Sequence, residues 1–270
     1  MPGIRRFALH TLTMELLKPA VGMRSLTLTL LVVLHLGITA CAAPRTWQYP
    51  PDPPGSLLEL KASKALSARV AVLPLRDLRG SKVERRGWLA AIPFVPFGVS
   101  AFDRPEAVES PAGAGATLVK MDPARDFSGA ITEELKNAGV FSSVAFVEKT
   151  APAETDLTVS GTLRATGWKR ATTTYLLGPV GPILWILGAP IGNATSTVAM
   201  DLQITPSNDP SRILWQFSMQ FEDRRLIGIY YGMEESVENY SVALQEALRP
   251  AVANLIQVAE KHPAIFSPIK

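Results

Sequence analysis

The residues able to carry covalent or acid–base chemistry are few. Of 270 residues one is a cysteine, Cys41, and three are histidines, His10, His35 and His262. A zinc site of His and Cys, a Ser-His-Asp triad or a Cys-His pair needs several such groups brought together. His262, near the C-terminus, reads as a solvated helix-end residue. There is no G-x-S-x-G, and Gly113-Ala114-Gly115 within PAGAGA reads as a connector, not a phosphate cradle. Carboxylates remain. Glu133 and Glu134 are adjacent on a helix, about 100° apart, so they do not share a site. Both read as solvated, opposite Phe127, Ile131 and Leu135. Glu234, Glu235 and Glu238 crowd a helix start, where the macrodipole favours negative charge. Asp77 with Arg76 and Arg79 is the best polar cluster, and the short spacing suits loop-closing ion pairs. The reading is that the chain is not an enzyme and has no catalytic residue, metal ligand set or cofactor.

Cys41 is explained by what precedes it. Met23-Arg24 is followed by Ser25 to Gly37, an uncharged run rich in Leu and Val, and then by Ile38-Thr39-Ala40-Cys41. These are a basic n-region, an h-region of about 12 residues and small residues before a cleavage point. The apolar run is shorter than the roughly 20 residues that span a bilayer. Cleavage between Ala40 and Cys41 takes residues 1–40 away, and His10 and His35 with them. Initiation at Met14 or Met23 would shorten the signal. An uncleaved signal anchor is the alternative.

Ile38-Thr39-Ala40-Cys41 resembles the lipobox of bacterial lipoproteins. The resemblance implies a diacylglycerol on the Cys41 thiol and a fatty acyl group, such as palmitate, on its freed amine. Two or three chains anchor stably where one gives only a marginal hold. Ala42, in place of Asp, implies sorting to the outer membrane on its periplasmic side, with the inner membrane as the alternative.

Charge agrees with this division. The whole chain is +3 with a pI near 9.0, but residues 1–40 carry Arg5, Arg6, Lys18 and Arg24 against Glu15, which is itself +3. Residues 41–270 are therefore neutral and lack the surplus cations that nucleic-acid binding requires. From Ala42 to Gly55 five prolines favour polyproline II, a spacer reaching roughly 40 Å. The expected organisation is a signal peptide over 1–40, a lipid anchor and Pro-rich tether over 41–60, and one domain over 61–270.

In that domain Arg69 to Leu75 reads as a buried strand. Asp122-Pro123 opens a helix, with Asp as N-cap and Pro at the first position, and Gly139 closes it. Val140 to Val147 reads as a strand. Leu157 to Leu163 alternates Leu157, Val159, Gly161 and Leu163 against Thr158, Ser160 and Thr162, a half-buried strand. Thr195–Ile204 and Arg212–Phe221 read as a hairpin, the second shielding Ile213, Trp215, Phe217, Met219 and Phe221. Glu234 to Lys261 is helical, with apolar residues from Val237 to Ala259 at steps of three and four, and Pro250 predicts a kink or a break. Adjacent strands flanked by helices predict α+β: a mixed, largely antiparallel sheet packed by two main helices.

RVAVLPLRDLRG, DFSGAITEELKNAGVFSSV and TDLTVSGTLRA resemble segments of small envelope lipoproteins with a TolB-N-terminal-like fold, the group of YajG-type lipoproteins, penicillin-binding-protein activators and curli-secretion lipoproteins. The shared features are Pro74 with Asp77, Gly139-Val140-Phe141, and Asp156 to Gly161. The resemblance spans about residues 69–260 and implies this fold and compartment.

Two inserts stand apart from that pattern. Gly87 to Phe102 (87–102) and Tyr175 to Ile191 (175–191) are apolar, proline-rich and uncharged. Pro93, Pro96, Pro179, Pro182 and Pro190 rule against membrane helices. Three readings stand: a second small core; a lipid-interface or protein-partner surface with Trp88, Phe94, Phe97, Tyr175 and Trp185 as contacts; or an assembled pore. Arg85, Arg86, Lys169 and Arg170 flank the inserts and suit headgroups, or simply solvate the loop edges. The leading functional expectation is a non-enzymatic lipoprotein that binds an envelope partner. The alternatives are an oligomeric component of an outer-membrane export channel and a hydrolase using paired carboxylates.

Overall fold

A computed structural model describes residues 45–50, 56–104, 119–149, 151–232 and 235–267 of the chain. The signal peptide, Ala40, Cys41, residues 42–44 and 51–55, the PAGAGA run and Glu234 lie outside the described residues, as do the side chains of Glu235, Val237 and Glu238. All described residues belong to one compact unit. Its strands are β1 (Arg45–Thr46), β2 (Leu66–Val72), β3 (Arg76–Asp77), β4 (Val83–Arg86), β5 (Gly98–Phe102), β6 (Val119–Lys120), β7 (Phe141–Phe146), β8 (Leu157–Ala165), β9 (Trp168–Thr172), β10 (Gly192–Pro206) and β11 (Trp215–Ile227). The helices are α1 (Pro123–Ala138), α2 (Pro182–Ile186) and α3 (Glu235–Lys261).

The main sheet runs β4-β5-β9-β10-β8-β2-β7, with β11 along the free side of β10 and β3 on β8. β2 is apolar on both faces because parallel neighbours, β7 and β8, flank it. It stops before Pro74, which has no N–H to give a ladder. β10 is the spine: one half pairs with β9, the other with β8, and β11 runs from Ile227, opposite Gly192, to Trp215, opposite Ile204. The fold is α+β with a mixed, mostly antiparallel sheet.

The alternation read in β8 and β10 sets the core. Leu157, Val159 and Leu163 join Val198, Met200, Leu202 and Ile204 on the face that α1 and α3 cover, with Trp215 and Met219 from β11. Phe217 and Phe221 pack at its margin, whereas Ile213 lies before the strand and is exposed. The other face carries Thr162 and Arg164 bound to Asp201, and Gln203 bound to Ser160.

Helix ends follow the sequence with two corrections. Pro123 opens α1, but the Asp122 side chain makes no capping bond. The Asp126 carboxylate instead accepts from the Asp122 N–H at 2.7 Å. Gly139, at φ 64°, closes the helix in the left-handed conformation that suits glycine. Pro250 does not divide α3, which runs unbroken over 27 residues. Ala247, Leu248, Ala251 and Val252 are buried against the core, while Pro250 faces solvent.

Parts of the expected spacer, residues 47–49 and 56–60, pack on the domain. Trp47 packs on Phe127 with ring centroids 5.5 Å apart. Ser241 Oγ donates to the Gln48 carbonyl at 2.6 Å, the Tyr49 hydroxyl donates to Glu134, and Leu58 is buried. Ala62 N–H then bonds the Ala138 carbonyl. Residues 47–49 and 56–62 are thus docked along α1 and α3. This also corrects the reading of Glu134, which is 1% exposed. α1 meets the sheet on one side and these segments on the other, so only Glu133, paired with Lys136, remains solvated.

Candidate functional site

The strongest candidate is one end of the sheet, where both inserts meet a third segment. The first insert forms a 3-10 turn over Gly87–Ala91 and passes Pro93 and Pro96 into β5. In the second, Thr172 and Gly192 are register partners, so residues 173–191 are a closed excursion carrying a 3-10 turn, Gly178–Val180, and α2. The third segment is 228–232, between β11 and α3, closed by a Gly228–Tyr231 bridge.

Hydrogen bonds join the three. Phe94 N–H donates to the Leu176 carbonyl at 3.0 Å, and the Thr174 hydroxyl donates to the Ala90 carbonyl. The Tyr230 hydroxyl donates to the Ile186 carbonyl at 2.8 Å and that of Tyr231 to Gly188 at 3.5 Å. Among the described residues, the non-glycine positions with left-handed φ all lie here: Phe94 at 66°, Tyr175 at 58° and Leu176 at 67°. Each such residue costs of the order of 1–3 kcal/mol, a strain that persists only where surroundings enforce it. Gly178, at φ 55°, marks a close approach of the two inserts: a Cβ there would sit 2.9 Å from the Ala91 carbonyl and the Pro93 ring.

The inserts therefore share a small core, with Ala90 and Ile191 buried, yet leave a large apolar surface outside. Phe94 is 85% exposed, Leu187 76%, Trp88 64% and Phe97 53%. Val180, Ile183 and Ile186 are also exposed. Of the five aromatic residues singled out in the sequence, Trp88, Phe94 and Phe97 point outward. Tyr175 is at the margin, its hydroxyl donated to the Pro190 carbonyl at 2.6 Å. Trp185 is half-buried, its indole N–H bonded to the Thr173 carbonyl at 2.9 Å, so it positions the loop. Sequence reasoning missed Leu226, Ile229, Tyr230 and Tyr231, all exposed. Their signal was the uncharged run Leu226-Ile-Gly-Ile-Tyr-Tyr-Gly232 after Arg224-Arg225.

The polar candidates have structural duties. Asp77 binds Arg79 through Nε at 3.0 Å, NH2 at 2.9 Å and the backbone N–H at 3.0 Å. That guanidinium holds the Asp77 carboxyl down to about 2. Arg79 is buried and also donates to Thr166 Oγ1 at 2.7 Å, while Arg104 NH2 binds the Arg79 carbonyl at 3.1 Å. The cluster closes the loop after β3. Burial lowers the pKa of Arg170. Among the described residues, no group of three or more His, Cys, Asp or Glu is arranged to hold a metal, and no helix is long and apolar enough to cross a membrane.

No protein-family model and no curated protein matches the chain. Among solved structures it is similar to a Xanthomonas campestris protein of the DUF330 family, at 10% identity over 82% of this chain and 98% of that one, with a TM-score of 0.41. It is also similar to the PelC dodecamer of Paraburkholderia phytofirmans, at 13% identity over 72% and 94% with a TM-score of 0.30. A hypothetical protein of Chlamydia trachomatis matches at 11% over 70% and 96%, with a TM-score of 0.34.

Proposed function

We propose that the chain is a lipid-anchored envelope protein, held through acyl groups on Cys41 at the periplasmic face of the outer membrane, that works by binding and not by catalysis. The observation that carries this reading is the exposed apolar end. Monomeric soluble proteins rarely expose a large contiguous apolar patch without using it. Here three chain segments joined by hydrogen bonds, two of them holding left-handed non-glycine residues, expose such apolar side chains together. The lipobox supports the anchor, and the ion-paired Asp77 cluster supports a loop-closing role over an active site.

Two experiments test it. Metabolic labelling with an alkyne palmitate should mark the wild type and not Cys41→Ser, which should accumulate as precursor; persistent label in the variant contradicts the anchor. Replacing residues 173–191 with Asn-Gly joins the register partners Thr172 and Gly192 by a two-residue turn. This variant should fold but lose its in-cell cross-links to envelope components, and an unchanged cross-linking pattern contradicts the binding reading.

A second reading, an oligomeric export component, draws on β11. It is 13 residues long and pairs only with β10 among the described residues, leaving an open edge for another chain. Light scattering of the lipidated protein in mild detergent separates the two: a monomer opposes the oligomer.

A further inference from the structure

We propose that the occupant of the apolar end is lipid: the cap seats in the interfacial layer of the bilayer that holds the Cys41 acyl chains, with a belt of basic side chains at headgroup level. The inference rests on the anchoring at Cys41 and names the partner of the surface just described.

The first observation is the register of charge. Each of the three chain segments that enter the cap carries a basic pair immediately before its uncharged run. These are Arg85-Arg86 before Gly87, Lys169-Arg170 before Ala171 and Arg224-Arg225 before Leu226. The pairing aligns them. Arg85 lies opposite Ser100, Ser100 opposite Arg170, Arg170 opposite Ala194 and Ala194 opposite Arg225. One row away, Lys169 and Arg224 flank Thr195, and one row the other way lies Arg86. The six cations thus occupy three successive rows, a band about 7 Å tall. Because neighbours along a strand alternate faces, the band reaches both faces of the sheet. Arg85, Arg86, Lys169 and Arg224 are exposed. Glu84 shares the lowest row and lies 3.8 Å from Arg86. Glu222 and Asp223 lie below the band, on the side away from the cap, with Asp223 paired to Arg225 at 2.8 Å. Six cations against these three acids leave the belt net positive. Anionic headgroups are the complement of a cationic belt under an apolar, aromatic-bearing cap.

The second observation is how the cap treats its own polar groups. Hydrocarbon tolerates irregular backbone only where N–H and C=O are paired. The five prolines in the inserts have no N–H to pair. Leu177, Leu184, Leu187 and Ala189 N–H groups bond carbonyls within the second insert. The carbonyls of Ile186, Gly188 and Pro190 accept from tyrosine hydroxyls, and that of Thr173 from the Trp185 indole. Phenols and an indole that would ordinarily point to water are turned inward on backbone acceptors, which leaves hydrocarbon outside.

The third observation is the length of the leash. Arg45, in β1, is four residues from Cys41, which allows at most roughly 14 Å of extended chain. β1 pairs with β6, just before α1 begins, and the start of α1 bonds Leu75 beyond the end of β2. β2, β8 and β9 all run towards this end, and the cap is built where β9 finishes. The leash thus leaves the core on the side towards which β9 runs. The row of Val72 and Ile204 lies twelve residues along β10 from Gly192, so the leash keeps the domain near the anchoring bilayer while the belt and the apolar residues orient the cap towards it.

The test uses the mature lipidated protein in phosphatidylethanolamine–phosphatidylglycerol vesicles containing lipid brominated high on the acyl chain. Tryptophan emission should be quenched, and Trp88→Phe should remove most of the quenched component. A quench unaffected by Trp88→Phe, or no quench, overturns the proposal. Mature Cys41→Ser protein, which lacks the lipid, should still bind these vesicles. Phe94→Asp/Ile186→Asp/Leu187→Asp, all at exposed positions, should weaken that binding at least about tenfold, as should replacing phosphatidylglycerol by phosphatidylcholine. Equal binding by the triple variant, or indifference to phosphatidylglycerol, overturns it, as does a dimer that hides the cap in solution. The palmitate experiment on Cys41 fails independently, so loss of the anchor and loss of the seat are distinguishable.

Discussion

Glu134 offers the sharpest check on how the N-terminal segments are fastened. Its carboxylate is buried and accepts two hydrogen bonds from them, one from the Tyr49 hydroxyl and one from the Leu58 N–H at 3.0 Å. Burial and the neighbouring carboxylate push the Tyr49 phenol far above its ordinary pKa, so it remains a donor at any working pH. A hydrogen bond to a charged group contributes about 1.5–3 kcal/mol, and a neutral acceptor roughly half of that. Glu134→Gln, which keeps one acceptor oxygen, should therefore cost about 2 kcal/mol. Glu134→Leu strands two buried donors, at about 1–3 kcal/mol each, and should cost about 4 kcal/mol. Urea unfolding of the mature chain at neutral pH measures both. Tyr49→Phe combined with Glu134→Gln should show coupling of about 1 kcal/mol or more in a double-mutant cycle. If Glu134→Leu lies within about 0.5 kcal/mol of wild type, an ordinary surface value, the acid is solvated and the docked-segment account is wrong.

The other predictions concern the loop cluster and the cap. The Asp77 carboxyl titrates near 2, below its ordinary 3.8, so its stabilising contribution is complete above about pH 4 and disappears as pH falls through 2. Asp77→Asn should lower stability by about 1 kcal/mol at pH 7, less than the full shift because Asp77 is exposed and its pairing is screened by solvent. The difference from wild type should shrink towards zero as pH falls through 2, as followed by urea midpoints across that range. Gly178→Ala puts a Cβ against Ala91 and Pro93 at a left-handed position and should cost about 2 kcal/mol; hydrogen exchange should report faster opening of the Phe94 amide, which is bonded across the inserts. Trp215→Phe removes the indole bond to Asn254 Oδ1 at 2.9 Å and should cost about 1 kcal/mol in the same unfolding assay.

Much of the fold was legible because the core strands alternate cleanly. Leu157, Val159 and Leu163 take the face the period of two assigns them, and α1 begins at Pro123 and ends at Gly139 as its punctuation indicates. What was not legible depended on partners remote in sequence. Glu134 reads as solvated until the chain from Trp47 to Ala62 is laid across its helix. The first insert contains β5, and β4 and β9 lead into the two inserts; these short, charged or glycine-bearing strands give little periodic signal and are held by pairing with β10 or with one another. At the candidate site the aromatic residues were found by composition alone. The belt of Arg85, Arg170 and Arg225 emerges only from register, since nothing local aligns three dipeptides separated by dozens of residues.

A single thiol probe tests the central claim, that this apolar end lies against the membrane. With Cys41 blocked by lipid, Leu187→Cys presents one free thiol at the cap, and Asn208→Cys presents one in the exposed turn after β10, at the other end of the sheet. Each can carry an environment-sensitive dye in reconstituted vesicles. The account predicts blue-shifted emission at position 187, with aqueous iodide quenching reduced severalfold relative to position 208. Equal quenching at the two positions would contradict it.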